Sequence, residues 1–419
     1  MRKKYKILLL SDHALSTSGV GCQSRFLIEG LIKKGHWQIK QLGAAIKHAD
    51  YSIVQVNPDF IIKPIDGFGD RSTIMNILAT EKPDVVMLFT DPRFFIWFYE
   101  MEDEIRQVCP VAYWHVWDNE PYPDYNTPLY EATDLINCHS HMTYNLIKDR
   151  FPEKTNFIPH ALPQDIFYPL NDNQISLNKS QILGPTNKDK FTLFWVNRNA
   201  RRKRPGDLLW AWSLFMEKIK AEGKDDAVLL LHTDPLDQEG PNLLAMSENL
   251  KIKDSCVFSN QRLEFEKMNI LHNISDACIN ISYAEGFGLA TLESMQTGTP
   301  IIAVKTGGLT RQVVDHRDGT ENGIALDVTL QSLVGSQTVP YIYEDYSSPH
   351  EISEAIYKMY KMSPEERKEL GQKARDYVLS EFALQDTIDK WDKTLLDLVT
   401  NYKENPTKRW VCKSVGAKS

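Results

Sequence analysis

Short apolar runs alternate with amphipathic stretches along almost the whole chain. Runs at residues 6–10, 85–89, 111–116, 135–138 and 156–159, and again at 192–196, 227–232, 256–259, 277–281, 300–304 and 323–325, read as strands buried on both faces. The segments between them are mostly long enough for crossover helices, for example 23–34, 94–107, 207–220, 264–273 and 289–296. Alternation of this kind predicts an α/β protein of doubly wound parallel sheets. Eleven strands are too many for one ordinary sheet, so the pattern predicts two.

A break in the pattern suggests where they divide. Residues 169–190 are rich in Asn, Lys, Ser, Gly and Pro with little periodicity, and read as a linker between a domain at 1–168 and another at 191–380. A second irregular stretch, 329–350, contains the cluster Tyr341 to Tyr346 and reads as an insertion. From Glu351 to about Tyr402 the pattern is helical, with Trp391, Leu395 and Leu398 on one face. Residues 381–419 are then a C-terminal helix and tail.

Length and composition agree with this division. The 419 residues, 42% hydrophobic and 25% charged, are enough for two or three cored domains and exclude a disordered tail. Six cysteines (Cys22, Cys109, Cys138, Cys256, Cys278, Cys412) show no C-x-x-C pair or metal-ligand spacing, and read as free thiols of a reducing, cytoplasmic compartment. The opening run is basic and then apolar only from Ile7 to Leu10, too short for an export signal or a membrane span. A soluble protein is expected, with room for peripheral membrane contact. The net charge of −8 argues against broad nucleic-acid binding.

Four strand ends carry candidate chemistry. After the first strand, Ser11 to Gly21 contains Gly19-Val20-Gly21, which permits close approach of a ligand to helix N–H groups and would equally serve a tight turn. After 192–196 comes Asn197-Arg198-Asn199-Ala200-Arg201-Arg202-Lys203-Arg204, either an anion site at a strand end or a solvated basic loop. After 277–281 comes Tyr283-Ala284-Glu285-Gly286-Phe287-Gly288-Leu289-Ala290-Thr291-Leu292-Glu293. With Glu285 on the glycine loop and Glu293 in the helix, both carboxylates can reach one elongated ligand across the helix N-terminus. The fourth is Tyr113-Trp114-His115-Val116-Trp117-Asp118-Asn119-Glu120, an aromatic ligand platform or simply core. Thr90-Asp91-Pro92-Arg93 could line a cleft or start a helix.

The Glu285 to Glu293 constellation, with Gly298-Thr299-Pro300 and Gly307-Gly308, resembles the E-x7-E signature of retaining glycosyltransferases of family 4. The likeness extends over nearly the whole chain: Gly19-Val20-Gly21 resembles the family's glycine loop, Ile158 to Leu162 its interdomain turn, and Arg198 with Lys203 its spaced Arg and Lys. His160-Ala161 departs from the usual Asn-Gly of that turn, and residues 329–350 have no evident counterpart.

The resemblance implies a GT-B fold: two Rossmann-like domains facing a cleft, the acceptor mainly on the first and a nucleotide sugar mainly on the second, with C-terminal helices crossing back. It implies a metal-independent, retaining enzyme with no cofactor, the nucleotide sugar (UDP- or GDP-linked) being a co-substrate. Catalytic roles would fall to His115, Glu285, Arg198 and Lys203. Donor contacts would come from Gly19, Gly21, Gly286, Phe287, Gly288, Leu289, Ala290 and Glu293, and acceptor contacts from Trp114, Trp117, Asp118 and Asn119. The acceptor would be a glycan, lipid or small molecule. Competing readings are transfer to modified DNA bases, suggested by the surplus of arginines, a nucleotide-sugar epimerase of the same fold, and a noncatalytic nucleotide-sugar binding module.

Overall fold

The computed structural model describes residues 4–405; Cys412 and the rest of the tail lie outside the described residues. The first sheet contains β1 (Tyr5–Asp12), β2 (Trp37–Ala44), β3 (Val54–Asn57), β4 (Phe60–Pro64), β5 (Val85–Thr90), β6 (Val111–His115), β7 (Leu135–Cys138) and β8 (Thr155–Phe157). Their order is β3-β4-β2-β1-β5-β6-β7-β8, parallel except for the antiparallel β3–β4 edge. The second sheet contains β9 (Phe191–Val196), β10 (Ala227–His232), β11 (Cys256–Ser259), β12 (Ala277–Asn280), β13 (Ile301–Val304) and β14 (Ile324–Leu326). It is parallel throughout, in the order β11-β10-β9-β12-β13-β14.

Both sheets are covered on both faces, which is why their central strands are continuously apolar. One core packs Ile7, Leu9, Met87 and Trp114 against Trp391, Leu395 and Val399 of the helix Leu384–Glu404. That helix crosses back to the first domain. Asp392 accepts there from Trp37 Nε1 at 2.6 Å, and the Tyr402 hydroxyl donates to Arg106 O at 2.7 Å.

Several elements differ from expectation. β2, β3 and β4 have no predicted counterpart: β2 alternates polar and apolar residues over its first half, and the exposed β3 holds only four residues. The expected helix at 94–107 is three short turns, Pro92–Phe95, Ile96–Tyr99 and Glu102–Ile105. Residues 169–190, expected to link the two domains, are less irregular than their composition suggests. They hold a helix, Asp172–Asn187, because Asn171 and Gln174 form a reciprocal cap and break only at Gly184, whose φ of +75° precedes Pro185. This helix ties to the second domain through Lys179 and Asp276, 3.0 Å apart. Residues 329–350 contain a hairpin, β15 (Leu330–Val334) and β16 (Ile342–Tyr346), and then the capped start of the helix Pro349–Lys361.

Candidate active site

Two adjoining cavities open between the carboxyl ends of the two sheets. The narrower, about 340 Å³, is lined from the first domain by Asp12, Ser18, Gly19, Asp118, His139 and His160, and from the second by Asn197, Arg202, Lys203, Glu285 and residues 286–290. The wider, about 520 Å³, shares Gly19, Asn197, Leu289 and Ala290 with it and ends at Glu293. Strand ends of open α/β sheets are where ligands bind, because helix N-termini and flexible loops converge there.

The glycine loop supplies the floor. Gly288 caps the helix Leu289–Gln296 at φ +91°, and a Cβ there would lie 2.4 Å from Leu309 Cδ2. At Gly286 a Cβ would lie 2.5 Å from Asp118 Oδ1 and 3.1 Å from His139 Nε2, so the bare backbone lets the first domain close onto the loop. Glu285 and Glu293 are thereby separated: one lies at the bottom of the narrow cavity, the other one helical turn into the wide one.

Glu285 is buried among cations. Lys203 donates directly to its Oε2, Ser282 Oγ donates to the same oxygen at 3.2 Å, and Arg202 Nη1 stands 3.7 Å from Oε1. Burial by itself would raise the Glu285 pKa, but Lys203 and Arg202 outweigh it and hold the carboxyl at about 2. For Lys203 burial prevails with help from Arg202, and its pKa is lowered. Arg202 also donates to Ala284 O at 2.6 Å and meets Asp118 across the cleft at 3.2 Å. Asp118 has its pKa raised, by burial first and then by Glu285 and Asp91 against the pull of Arg202 and Lys203.

Glu293 is held differently. Among the described residues its Oε2 pairs with His272 Nε2 alone, at 3.0 Å, while its other face looks into the wide cavity. The first-domain wall is uncharged at its centre: His139 and His160 stack 4.3 Å apart at 9° between planes, with Phe287 edge-on to His160. Burial lowers the His139 pKa to about 4 and holds that of His160 well below its usual value, and neither Nδ1 has a partner among the described residues. Among the described residues no group of three or more His, Cys, Asp or Glu side chains is placed to hold a metal ion.

Comparison with known proteins places this architecture. The model of the family described as "Glycosyl transferases group 1" matches residues 179–377. The chain has the GT-B fold, and its residues 179–377 are similar to the glycosyl transferases group 1 family. It is 23% identical over 280 residues to N-acetyl-alpha-D-glucosaminyl L-malate synthase of Bacillus anthracis, covering 65% of this chain and 62% of that one. To a D-inositol 3-phosphate glycosyltransferase of Corynebacterium jeikeium it is 25% identical over 278 residues, covering 63% and 62%. The match thus spans about three fifths of the length of these curated relatives. In fold it is similar to sucrose-phosphate synthase from Thermosynechococcus elongatus, with a TM-score of 0.73 at 17% identity over 95% of this chain and 100% of that one. Anabaena HepE in complex with UDP and glucose gives 0.68 at 15%, over 94% and 100%. These structural likenesses show the GT-B fold.

The second domain places Lys203, Glu285 and residues 286–290 along the narrow cavity and Glu293 along the wide one. Arg198 lies at the rim of the wide cavity, held by Asp237 at 2.8 Å and Glu239 at 3.0 Å, and it is Arg202 that stands beside Lys203. The 3-10 turn Arg201–Lys203 sets this register, because it rotates Arg202 and Lys203 inward and Arg201 out to Glu344.

In the first domain three expectations are corrected. His115 is fully buried, its Nε2 2.8 Å from the Tyr130 hydroxyl and its pKa lowered by burial to about 3; it does not line the cleft. Trp114 stacks on Phe89 at 3.9 Å in the core, not against an acceptor. Gly21 is a packing position, its N–H on Ser18 Oγ at 3.0 Å, whereas Gly19 does face Leu289. Trp117, Asp118 and Asn119 emerge beyond the strand end, Asn119 with its Nδ2 committed to Tyr343 O. Sequence reasoning assigned no role to His139, His160, Arg202 or His272; the basic run that contains Arg202 and the departure at His160 from the family's turn were the signals available for two of them.

Proposed function

We propose that the chain is a retaining glycosyltransferase that moves a sugar from a nucleoside diphosphate donor to an acceptor hydroxyl. The single observation that carries this is the convergence of Lys203 and Arg202 with the N-terminus of the helix Leu289–Gln296 on one end of an elongated cleft that has Glu293 at the other. The donor ribose lies against Glu293, the diphosphate against Lys203, Arg202 and the N–H groups of Leu289 and Ala290, and the transferred sugar against Glu285, with the His139–His160 stack facing it. These cations offset the charge that develops as the diphosphate leaves, a role that elsewhere falls to a metal.

In the step itself the bond from the anomeric carbon to the diphosphate oxygen breaks with its electron pair going to the diphosphate. The acceptor oxygen bonds to the same carbon on the same face, and its proton passes to the departing oxygen. Retention and metal independence rest on the likeness to family 4, and a nucleotide sugar as co-substrate without a resident cofactor rests on the same ground. The five described cysteines are free and no described helix is long and apolar enough to cross a membrane, features that support a cytoplasmic site of action.

Nucleic acid is not favoured as acceptor, because the arginines that suggested it are engaged: Arg198 with Asp237, Arg201 with Glu344 and Arg204 with Asp207. The test is a thermal-shift screen of nucleoside diphosphates and their sugars, followed by proton NMR of the product. A stabilising nucleotide and an unchanged anomeric configuration are expected. Stabilisation by none of them would sink the proposal, conversion of the donor alone would favour an epimerase, and binding without turnover a binding module.

A further inference from the structure

The hairpin of β15 and β16 belongs by sequence to the second domain but docks on the first. The Tyr343 N–H donates to Glu120 O at 2.7 Å, Asn119 Nδ2 donates to Tyr343 O at 2.6 Å, and the Tyr125 hydroxyl donates to Tyr341 O at 3.2 Å. On its other side the Asp345 N–H donates to Tyr283 O at 2.8 Å, anchoring it to the glycine loop. Beneath the hairpin lies a cavity of about 480 Å³, walled by Trp117 of the first domain, Tyr283 of the second and the hairpin tip at Ser336. Asp118 and Arg202 line both this cavity and the narrow part of the cleft, so an occupant of one can touch an occupant of the other.

We propose that this cavity is the acceptor subsite, that the hairpin is its outer wall, and that it takes a neutral polyhydroxylated acceptor such as a sugar ring. The assignment rests on the glycosyltransferase reading above. Its chemistry follows from charge balance: among the described residues three carboxylates and three guanidiniums line the cavity, already matched one to one. Arg93 holds Asp91 through two bonds of 2.8 and 2.7 Å, Arg202 faces Asp118 at 3.2 Å, and Arg201 faces Glu344 at 3.0 Å. A phosphate or carboxylate on the acceptor would have to displace a carboxylate and leave it unpaired in a confined space, which acts against acidic acceptors. Hydroxyls meet no such conflict, since each can donate to a carboxylate and accept from a guanidinium without separating the pair. Tyr283, half-buried at the cavity wall, adds aromatic surface for the apolar face of a sugar.

The experiment uses the full chain and the donor selected by the nucleotide screen. Glucose, mannose, N-acetylglucosamine and inositol are offered together with their phosphates, and products are read by mass spectrometry. Alongside, nucleoside diphosphate affinity and donor hydrolysis by water are measured for the wild type, for Ser336→Trp at the exposed tip, and for a chain whose residues 331–345 are replaced by Gly-Ser-Gly. Transfer is expected to neutral compounds, and both variants should lose about tenfold or more in transfer kcat/KM while nucleotide affinity stays within about twofold. Preference for the phosphates, transfer to no neutral compound while donor hydrolysis persists, or transfer unaltered in both variants would overturn the proposal. Failure of the wild type to bind any nucleoside diphosphate would instead overturn the reading beneath it.

Discussion

The two walls of the cleft are built on opposite electrostatic plans. On the second domain Lys203 and Arg202 crowd the ionised Glu285, and the charges sit at the foot of a helix N-terminus. On the first, the centre of the wall is a pair of stacked imidazoles kept neutral by burial, with aromatic core behind them. Charge is thus concentrated where a departing diphosphate would gain it. The facing wall contributes shape and a low-dielectric lining that strengthens those interactions. One ion pair, Asp118 with Arg202, connects the two plans across the gap.

Lys203→Ala should break this contrast most severely. Glu285 would keep Arg202 but lose its direct partner, and removing one member of a buried pair costs about 3 kcal/mol or more. Urea unfolding should show that loss, and turnover should fall about 100-fold as one preorganised donor disappears. An unchanged unfolding midpoint would show that the pair is not what holds the loop.

Acid should next weaken the first domain, through the uncharged wall of His139 and His160 and the buried His115 in the core behind it. His139, with a pKa of about 4, His115 at about 3 and His160 well below the usual value stay neutral in the folded chain while their unfolded counterparts titrate near 6.5. Their contribution is therefore fully present above about pH 6.5 and is lost as the pH falls from there toward 4, by up to about 1.4 kcal/mol per pH unit for each histidine. Melting temperatures recorded from pH 7 to 4.5 should fall, and less steeply in His115→Gln. A flat profile would mean that these imidazoles protonate in place.

A subtler contrast lies within the second domain, between the two glutamates. Glu293→Gln should cost about tenfold in nucleoside diphosphate affinity, one charge-assisted hydrogen bond, while leaving the fold intact because among the described residues its one partner is His272. Titration calorimetry with circular dichroism as control decides it; equal affinity would remove Glu293 from the donor site. The smallest effect is expected at Arg198→Ala. Its guanidinium is 60% exposed and its ion pairs with Asp237 and Glu239 are surface pairs, so stability should change by less than about 1 kcal/mol and turnover far less than in Lys203→Ala. A loss matching that of Lys203→Ala would show that Arg198 swings inward when the donor binds.

Much of this molecule is legible in the order of its residues. Buried parallel strands are apolar throughout, so strands such as β5, β9 and β10 announce themselves. A glycine loop followed by a helix bearing Glu293 has one economical reading, since only glycine tolerates the φ of residue 288 and the contact at residue 286. Paired sheets, the returning helix with Trp391 inward, and the glycine-loop wall of the cleft follow from such local signals. What stayed hidden depends on direction. Whether a side chain at a strand end turns to the core or to the cleft is set by where the sheet ends and what packs behind it; His115 and Trp114 are core because Tyr130 and Phe89 lie against them, while His139, one strand away, clears the edge. Which arginine of a basic run faces inward depended on a single 3-10 turn, and the docking of the hairpin on the first domain depended on backbone groups of Tyr343 and Glu120 that every residue carries alike. Periodicity and composition record what a segment is made of, whereas the direction of a side chain and the partner of a backbone amide exist only once distant segments have met.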